Sequence, residues 1–304
     1  MVRALVRRAA RPPKKSPVPK SAADARAKSA VMTAQAMAPR VGAAVRTVAL
    51  SGPAVWDAPG MDDVTDPWEL HAGWWQEGFT DSADPEYTEQ ILPLAADLLA
   101  GYDRVLDVGT GEGQVGRVAA AGGASTTIGM DPAAAQVLEA AARGGGPAYL
   151  RAGADRMPFP DGSFDAVVAC LVFEHIEAVD DAISEVARVL RPGGRFAFFL
   201  NHPILQTPGS GWIDDQILDP PEQYWRIGPY LVESIQLEEV ARDVFLPFVH
   251  RPLSRYVNAM ADHGLILRRM HEPAPPEGFL ARAAEYREVA TIPRLLVLVA
   301  EREA

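Results

Sequence analysis

Between residues 104 and 200, five short apolar runs alternate with stretches of helical period, and that alternation leaves few folds open. The runs span 104–108, 126–130, 148–152, 164–171 and 195–200. Helical stretches at 113–121, 133–143 and 180–190 separate them, and in the last Ile183, Val186, Val189 and Leu190 share one face. Pro192-Gly193-Gly194 turns the chain into the fifth run. Strand and helix in repeated succession call for parallel strands joined by crossover helices. The expected class is therefore α/β, a doubly wound and mostly parallel sheet with helices on both faces. A helix over 85–99, stopped by Gly101, precedes this core. A helix over 253–263 and strands over 265–270 and 294–300 follow it.

The loop after the first run reads VLDVGTGEGQVGR, residues 105–117. Gly109, Gly111 and Gly113 let the backbone turn tightly and approach a ligand. A sheet of this class binds its ligand at the carboxyl ends of its strands, beside the switch in strand order. From Gly111 the spacing fits G-x-G-x-x-G. Asp131, 20 residues on, stands where an acid holds a ribose hydroxyl in nucleotide sites. Spacing alone does not separate NAD from other adenosine-containing ligands, but charge does. Like charges about 4 Å apart repel by roughly 4 kcal/mol at an effective dielectric of 20. Asp107 and Glu112, if they point inward, would oppose a pyrophosphate in this way. S-adenosylmethionine instead carries an ammonium and a sulfonium and no phosphate. Each acid also has a plainer reading, Asp107 as a brace for the glycine turn and Glu112 as a first-turn helix acid.

Residues 1–48 hold eleven Lys+Arg against the single acid Asp24, whereas the rest of the chain holds 18 basic and 39 acidic residues. Such a body repels phosphates, so a nucleic-acid substrate is not expected. The four lysines all lie at or before Lys28, which leaves the remainder without a Schiff-base or P-loop lysine. Residues 1–60, rich in Ala, Pro, Arg and Lys, read as a disordered basic extension, and 61–304 as one domain. No apolar run reaches the roughly 18 residues of a membrane span. The lone Cys170 excludes an internal disulfide and points to a reducing, cytoplasmic setting. The six histidines show no metal-binding spacing, so no metal is expected. Nothing in the pattern sets an oligomeric state.

Taken in order, these segments resemble a class I S-adenosylmethionine-dependent methyltransferase of the type 11 group, in detail over 100–200 and in outline over 66–304. VLDVGTGEG is similar to that family's first motif and GMDP to the one bearing its ribose-binding acid. GADRMPFPDGSFDAVVA resembles the adenine-contact segment, LVFEHI the segment after the fourth strand, and EVARVLRPGGRFAF the helix and turn before the fifth. The resemblance implies a seven-stranded sheet whose last strand, RLLVLVA, runs antiparallel beside RFAFFL. It also implies an N-terminal helical region and a capping insertion, residues 201–251, after the fifth strand. S-adenosyl-L-methionine is the implied cofactor, with Asp107, Gly109, Thr110, Gly111, Gly113, Asp131, Pro132, Ala154, Asp155 and Leu171 around it. Glu112 departs from the small or hydroxyl residue common at its position.

Methyl transfer to a small-molecule acceptor is then the expected reaction, an in-line displacement that chiefly needs positioning and exclusion of water. His202, Glu174 and His175 follow strand ends and are the candidate catalytic residues. Tyr224, Trp225, Tyr230 and His250 in or beside the cap are candidate substrate contacts. Each has a bland alternative as a loop cap or packing residue. Trp74 and Trp75, ahead of the first run, fit either a cover over the cofactor or a core role. Methylation of a tRNA or protein aided by the basic extension, NAD-dependent oxidoreduction and non-catalytic S-adenosylmethionine binding are the competing readings.

Overall fold

The structure, a computed structural model, describes residues 46–48, 55–57, 66–282 and 290–304. Its main sheet has nine strands. β1 (Arg46–Val48) and β2 (Val55–Asp57) are three residues each. β3 (Arg104–Val108), β4 (Thr126–Asp131), β5 (Ala148–Arg151), β6 (Phe164–Cys170) and β7 (Leu190–Asn201) follow. Outside this sheet, β8 (Gly211–Asp215) pairs with β9 (Glu222–Arg226), and β10 (Ser234–Ala241) pairs with β11 (Val244–His250). β12 (Leu265–His271) and β13 (Leu295–Arg302) return to the main sheet. Its order is β1-β2-β5-β4-β3-β6-β7-β13-β12. The strands from β3 to β7 run parallel, and β13 lies antiparallel between β7 and β12. This is the doubly wound, mostly parallel seven-stranded sheet expected, with RLLVLVA beside RFAFFL, extended at one edge by β2 and β1. Those two strands come from the segment expected to be disordered. The rest of 1–60 lies outside the described residues.

Both faces of the sheet are covered, which is why its strands read as continuous apolar runs. Along β7, Phe196 and Phe198 point into one core layer, with Phe173, Ile183 and Val186 and with Tyr256 and Met260 of the helix Leu253–Asp262. Ala197 and Phe199 point the other way, against Ile91, Ala95, Val115 and Ala119. Each fully buried Phe contributes roughly 1.5–3 kcal/mol.

Two local departures from the expected elements have clear causes. The helix expected over 85–99 has a π turn at Tyr87–Ile91 before its α segment Leu92–Leu99, with Pro93 at the start of that segment. Proline has no N–H to return to the preceding turn, and the wider turn absorbs the missing bond. The turn expected at Pro192–Gly194 is a bulge inside β7: Phe164 pairs with Leu190 and Ala166 with Arg195, leaving 191–194 looped out. The cap over 201–251 is built largely from the two hairpins β8–β9 and β10–β11.

Candidate active site

Chain order reverses its direction across the sheet at β3, so the loops after β3 and β6 diverge and leave a crevice at the strands' carboxyl ends. A cleft opens there. Gly109, Thr110 and Gly111 after β3, Asp131 and Pro132 at the end of β4, Ala152 and Ala154 after β5, and Leu171 and Val172 after β6 line it. Asp66, Trp68 and Trp75 of the preceding helical region close one side. Glu69 tethers that region by accepting the backbone N–H of Ala135 at 3.1 Å, and Gln76 donates to Gln136 at 3.0 Å.

The three loop glycines serve different contacts. A Cβ at Gly109 would overlap the Val172 side chain, and one at Gly113 would overlap the Tyr149 hydroxyl. At Gly111 a Cβ would meet no overlap, only ordinary contact with the Trp75 indole nitrogen at 3.5 Å. The loop is held by acids. Asp107 Oδ2 accepts from the Thr110 hydroxyl at 2.6 Å and from the Gly116 N–H at 2.8 Å. Asp131 accepts from Gly111 N–H at 3.0 Å and Ala133 N–H at 2.9 Å, one on each oxygen. Burial raises the Asp107 carboxyl to about 7 and that of Asp131 to about 6.

Glu112 is buried and faces Arg117 at 2.6 Å and Arg143 at 3.3 Å, so its charge is balanced. The electrostatic case from sequence therefore needs correction: Asp107 is a brace and Glu112 an ion-pair partner. What survives is the lining itself. It holds the carboxylates Asp66, Asp107, Glu112 and Asp131 and no lysine or arginine. That composition suits a cationic nucleoside and disfavours a pyrophosphate. Each Asp131 oxygen also retains a lone pair for a hydroxyl.

Residues 106–198 match the family described as "Methyltransferase domain". The chain contains a class I S-adenosylmethionine-dependent methyltransferase domain. The domain is 28% identical to a solved S-adenosylmethionine-dependent methyltransferase from Mesorhizobium loti, with a TM-score of 0.62 over 72% of this chain and 98% of that one. It is 37% identical over 97 residues to the mitochondrial 2-methoxy-6-polyprenyl-1,4-benzoquinol methylase of Drosophila melanogaster, covering 29% of this chain and 32% of that protein. Over 124 residues it is 33% identical to the malonyl-[acyl-carrier protein] O-methyltransferase of Enterobacter lignolyticus, covering 38% and 49%. The chain thus spans between a third and a half of the length of these curated relatives.

A second chamber adjoins the methyltransferase cleft and shares Trp75, Tyr87, Leu171 and His175 with it. Phe79, Asp84, Glu86, Gln90, Ile91, Asn201, Arg294 and Leu295 complete its walls. Leu171, at the neck, has φ 57°, a left-handed conformation costly for a leucine. His175 sits between Trp68 and Phe248, with ring centroids 4.8 and 4.5 Å away. Its Nδ1 lies 2.8 Å from the Pro247 carbonyl oxygen. A carbonyl only accepts, so Nδ1 carries the proton and Nε2 keeps its lone pair. Burial lowers the ring's pKa to about 4, so it is neutral at physiological pH.

Of the residues singled out from sequence, Trp75, Asp107, Gly109, Thr110, Gly111, Glu112, Asp131, Pro132, Ala154, Leu171 and His175 meet in the cleft. The others stand elsewhere. Gly113 is the N-cap of the helix Gln114–Ala121, and Asp155 is exposed beyond the lining. His202 is a correction to the expected base. Its Nδ1 accepts from Ile204 N–H at 3.2 Å and its Nε2 faces Glu272 at 2.8 Å, so neither nitrogen is open to an acceptor. Glu174 is another. Its Oε1 accepts from the backbone and side-chain nitrogens of Asn201, at 3.0 and 2.8 Å, tying the turn after β6 to the end of β7. His250 and Tyr230 serve the cap: the His250 Nε2 lies 2.8 Å from the Tyr230 carbonyl, and the Tyr230 hydroxyl accepts from Leu253 N–H at 2.9 Å. Tyr224 and Trp225 lie on β9, away from both chambers. Sequence reasoning missed Trp68, Tyr87, Asn201 and Arg294. Apolar period marks Tyr87 only as a helix residue, and no local signal reports that two distant segments close on one space.

Proposed function

We propose that this chain transfers a methyl group from S-adenosylmethionine to an oxygen, nitrogen or carbon atom of a small molecule held in the second chamber. The observation that carries this reading is the shared wall, where His175 and Leu171 border both the cofactor cleft and the adjoining chamber. When bound, the cofactor supplies a methyl group activated by its sulfonium. In this reading Asp131 accepts the ribose hydroxyls, and Gly109, Thr110, Gly111, Pro132 and Ala154 shape the nucleoside's bed. Trp68 and Trp75 exclude water, which favours a displacement that needs no hydration of its reactants. His175 offers its Nε2 lone pair at the junction, which favours an acceptor bearing an O–H or N–H group and disfavours a carboxylate. With a pKa near 4 its main service is to orient the acceptor in line, a contribution of proximity more than of base strength. A single buried thiol, Cys170, fits a reducing, cytoplasmic setting.

Calorimetry with S-adenosylhomocysteine and with NADH tests the cofactor assignment, and binding of NADH alone would overturn it. Incubation with labelled S-adenosylmethionine and panels of phenols, amines and carboxylic acids tests the acceptor class. Turnover confined to carboxylic acids would refute the role given to His175.

A further inference from the structure

His175 stands on a single turn of 3₁₀ helix, Phe173–His175, between the end of β6 and the helix Val179–Val189. Such a turn supports itself weakly. His175 N–H donates to the Val172 carbonyl at 2.9 Å, but the bond from Ile176 N–H to the Phe173 carbonyl is 3.4 Å long. Arg251, the residue after β11, supplies what the turn lacks. Its Nη1 donates to the Phe173 carbonyl at 3.2 Å, and its Nη2 donates to those of Ile176 at 2.8 Å and Glu177 at 2.9 Å. The guanidinium therefore holds main chain on both sides of His175. Pro247, whose carbonyl accepts from the His175 Nδ1, and Phe248, whose ring meets the imidazole edge to face, lie on β11 itself. Among the described residues Arg251 is the only buried arginine. Its Nε faces Glu233 at 3.8 Å, beyond hydrogen-bond reach. Burying a guanidinium is costly, and apolar residues of similar size fasten two elements at least as firmly. A planar fork adds what packing does not, since it fixes the direction and spacing of the carbonyls that it binds.

We propose that Arg251 is a positioning residue for methyl transfer, clamping the turn 173–177 to the cap so that the His175 ring keeps its place between the cofactor cleft and the adjoining chamber. The inference rests on the role given to His175 above. A displacement of about 1 Å in a group that orients the acceptor can cost about 10²-fold in rate. The turn's other side-chain tether, Glu174 with Asn201, ties it to β7 and not to the cap, so it does not replace the clamp. Lysine at 251 would keep the charge, but its one nitrogen cannot span carbonyls on both flanks of His175. Without the fork the turn is free to shift against β11. The bond from Nδ1 to the Pro247 carbonyl, which keeps the proton on that nitrogen, then lengthens.

Nitrogen-15 NMR of the histidine-labelled full chain reads the clamp without any substrate. The parent is expected to show His175 as one Nδ1–H tautomer, and Arg251→Lys as a mixture of the two neutral tautomers. An unchanged single tautomer in Arg251→Lys would overturn the proposal. Kinetics with an acceptor from the phenol and amine panel give the second reading. Arg251→Lys should lower kcat about tenfold, with S-adenosylhomocysteine affinity within about threefold of the parent. In a His175→Phe background the same substitution should lower kcat less than about twofold, because its effect passes through the missing imidazole. An equal loss in both backgrounds would overturn the proposal, since Arg251 would then act on the fold alone. If His175→Phe by itself leaves kcat unchanged, the acceptor-site reading fails and the tautomer measurement decides on Arg251. Should Arg251→Lys not fold, the parent chain still answers. A clamped guanidinium gives separate, slowly exchanging Nη proton signals, and a single averaged signal would refute the clamp.

Discussion

The Nδ1 of His175 lies 2.8 Å from the Pro247 carbonyl oxygen, and this one bond from the cap fixes the tautomer of a ring that lines both chambers. Replacing His175 with Phe keeps the ring's edge contacts with Trp68 and Phe248 but removes the lone pair. We expect kcat to fall by about 10²-fold, with S-adenosylhomocysteine affinity within about threefold of the parent. His202→Asn should change kcat by less than about threefold, since both His202 nitrogens are engaged in the loop. Steady-state kinetics on both variants check this, and the reverse ranking would reinstate His202.

Asp131 accepts two backbone N–H groups and is raised by burial to about 6. Protonation replaces an acceptor pair with a donor, so affinity for the nucleoside should fall as pH drops through 6. Asp131→Asn should weaken S-adenosylhomocysteine binding by about 10–100-fold, the range of a charge-assisted hydrogen bond of roughly 1.5–3 kcal/mol. Calorimetric titrations at pH 5, 6 and 8 measure both effects. An affinity that does not change across this range would argue against a direct contact.

Asp107 is buried beside the glycine loop, with its folded pKa raised from 3.8 to about 7. A raised carboxyl stabilises the fold fully below its unfolded pKa, and that contribution is lost as pH rises from about 4 through about 7. Above pH 7 the charged form sits in a site that favours the neutral one, a difference of a few kcal/mol at most. Asp107→Asn removes the titration while one amide oxygen can still accept from Thr110 and Gly116. Its thermal midpoint should change less between pH 5 and pH 9 than that of the parent chain. Differential scanning fluorimetry across that range provides the comparison.

Gly113 has φ 90° and would carry its Cβ into the Tyr149 ring. Gly113→Ala is expected to cost about 2–3 kcal/mol from overpacking and backbone strain together. Adding Tyr149→Phe should recover part of this, since the hydroxyl is the nearest obstacle. Urea denaturation of the two single variants and the double variant gives the coupling. Strict additivity would show that the strain is in the backbone alone.

The strands from β3 to β7 were legible because each is buried on both faces and so reads as a short unbroken apolar run. Their helices were legible because burial on one side leaves a 3.6-residue period. The cap was not, because β8 to β11 are only partly buried and carry polar and apolar residues in no regular alternation. The glycine loop was legible as a ligand loop, but the reasons for its glycines were not. Val172, in the loop after β6, and Tyr149, on β5, exclude side chains at Gly109 and Gly113 and come from distant parts of the chain.

Chain order and apolar period alone determined that this protein is a doubly wound α/β domain with an acid-lined loop after its first core strand. Such features depend on residues close together in sequence, where backbone geometry and burial set the pattern. Only the tertiary structure decided which acids line the cleft already paired and which nitrogen of His175 carries the proton. Glu112 is balanced by Arg143, 31 positions away, and His175 is oriented by Pro247, 72 positions away. Charge and hydrogen bonding act over a few ångströms of space, so partners this distant along the chain leave no local trace in it.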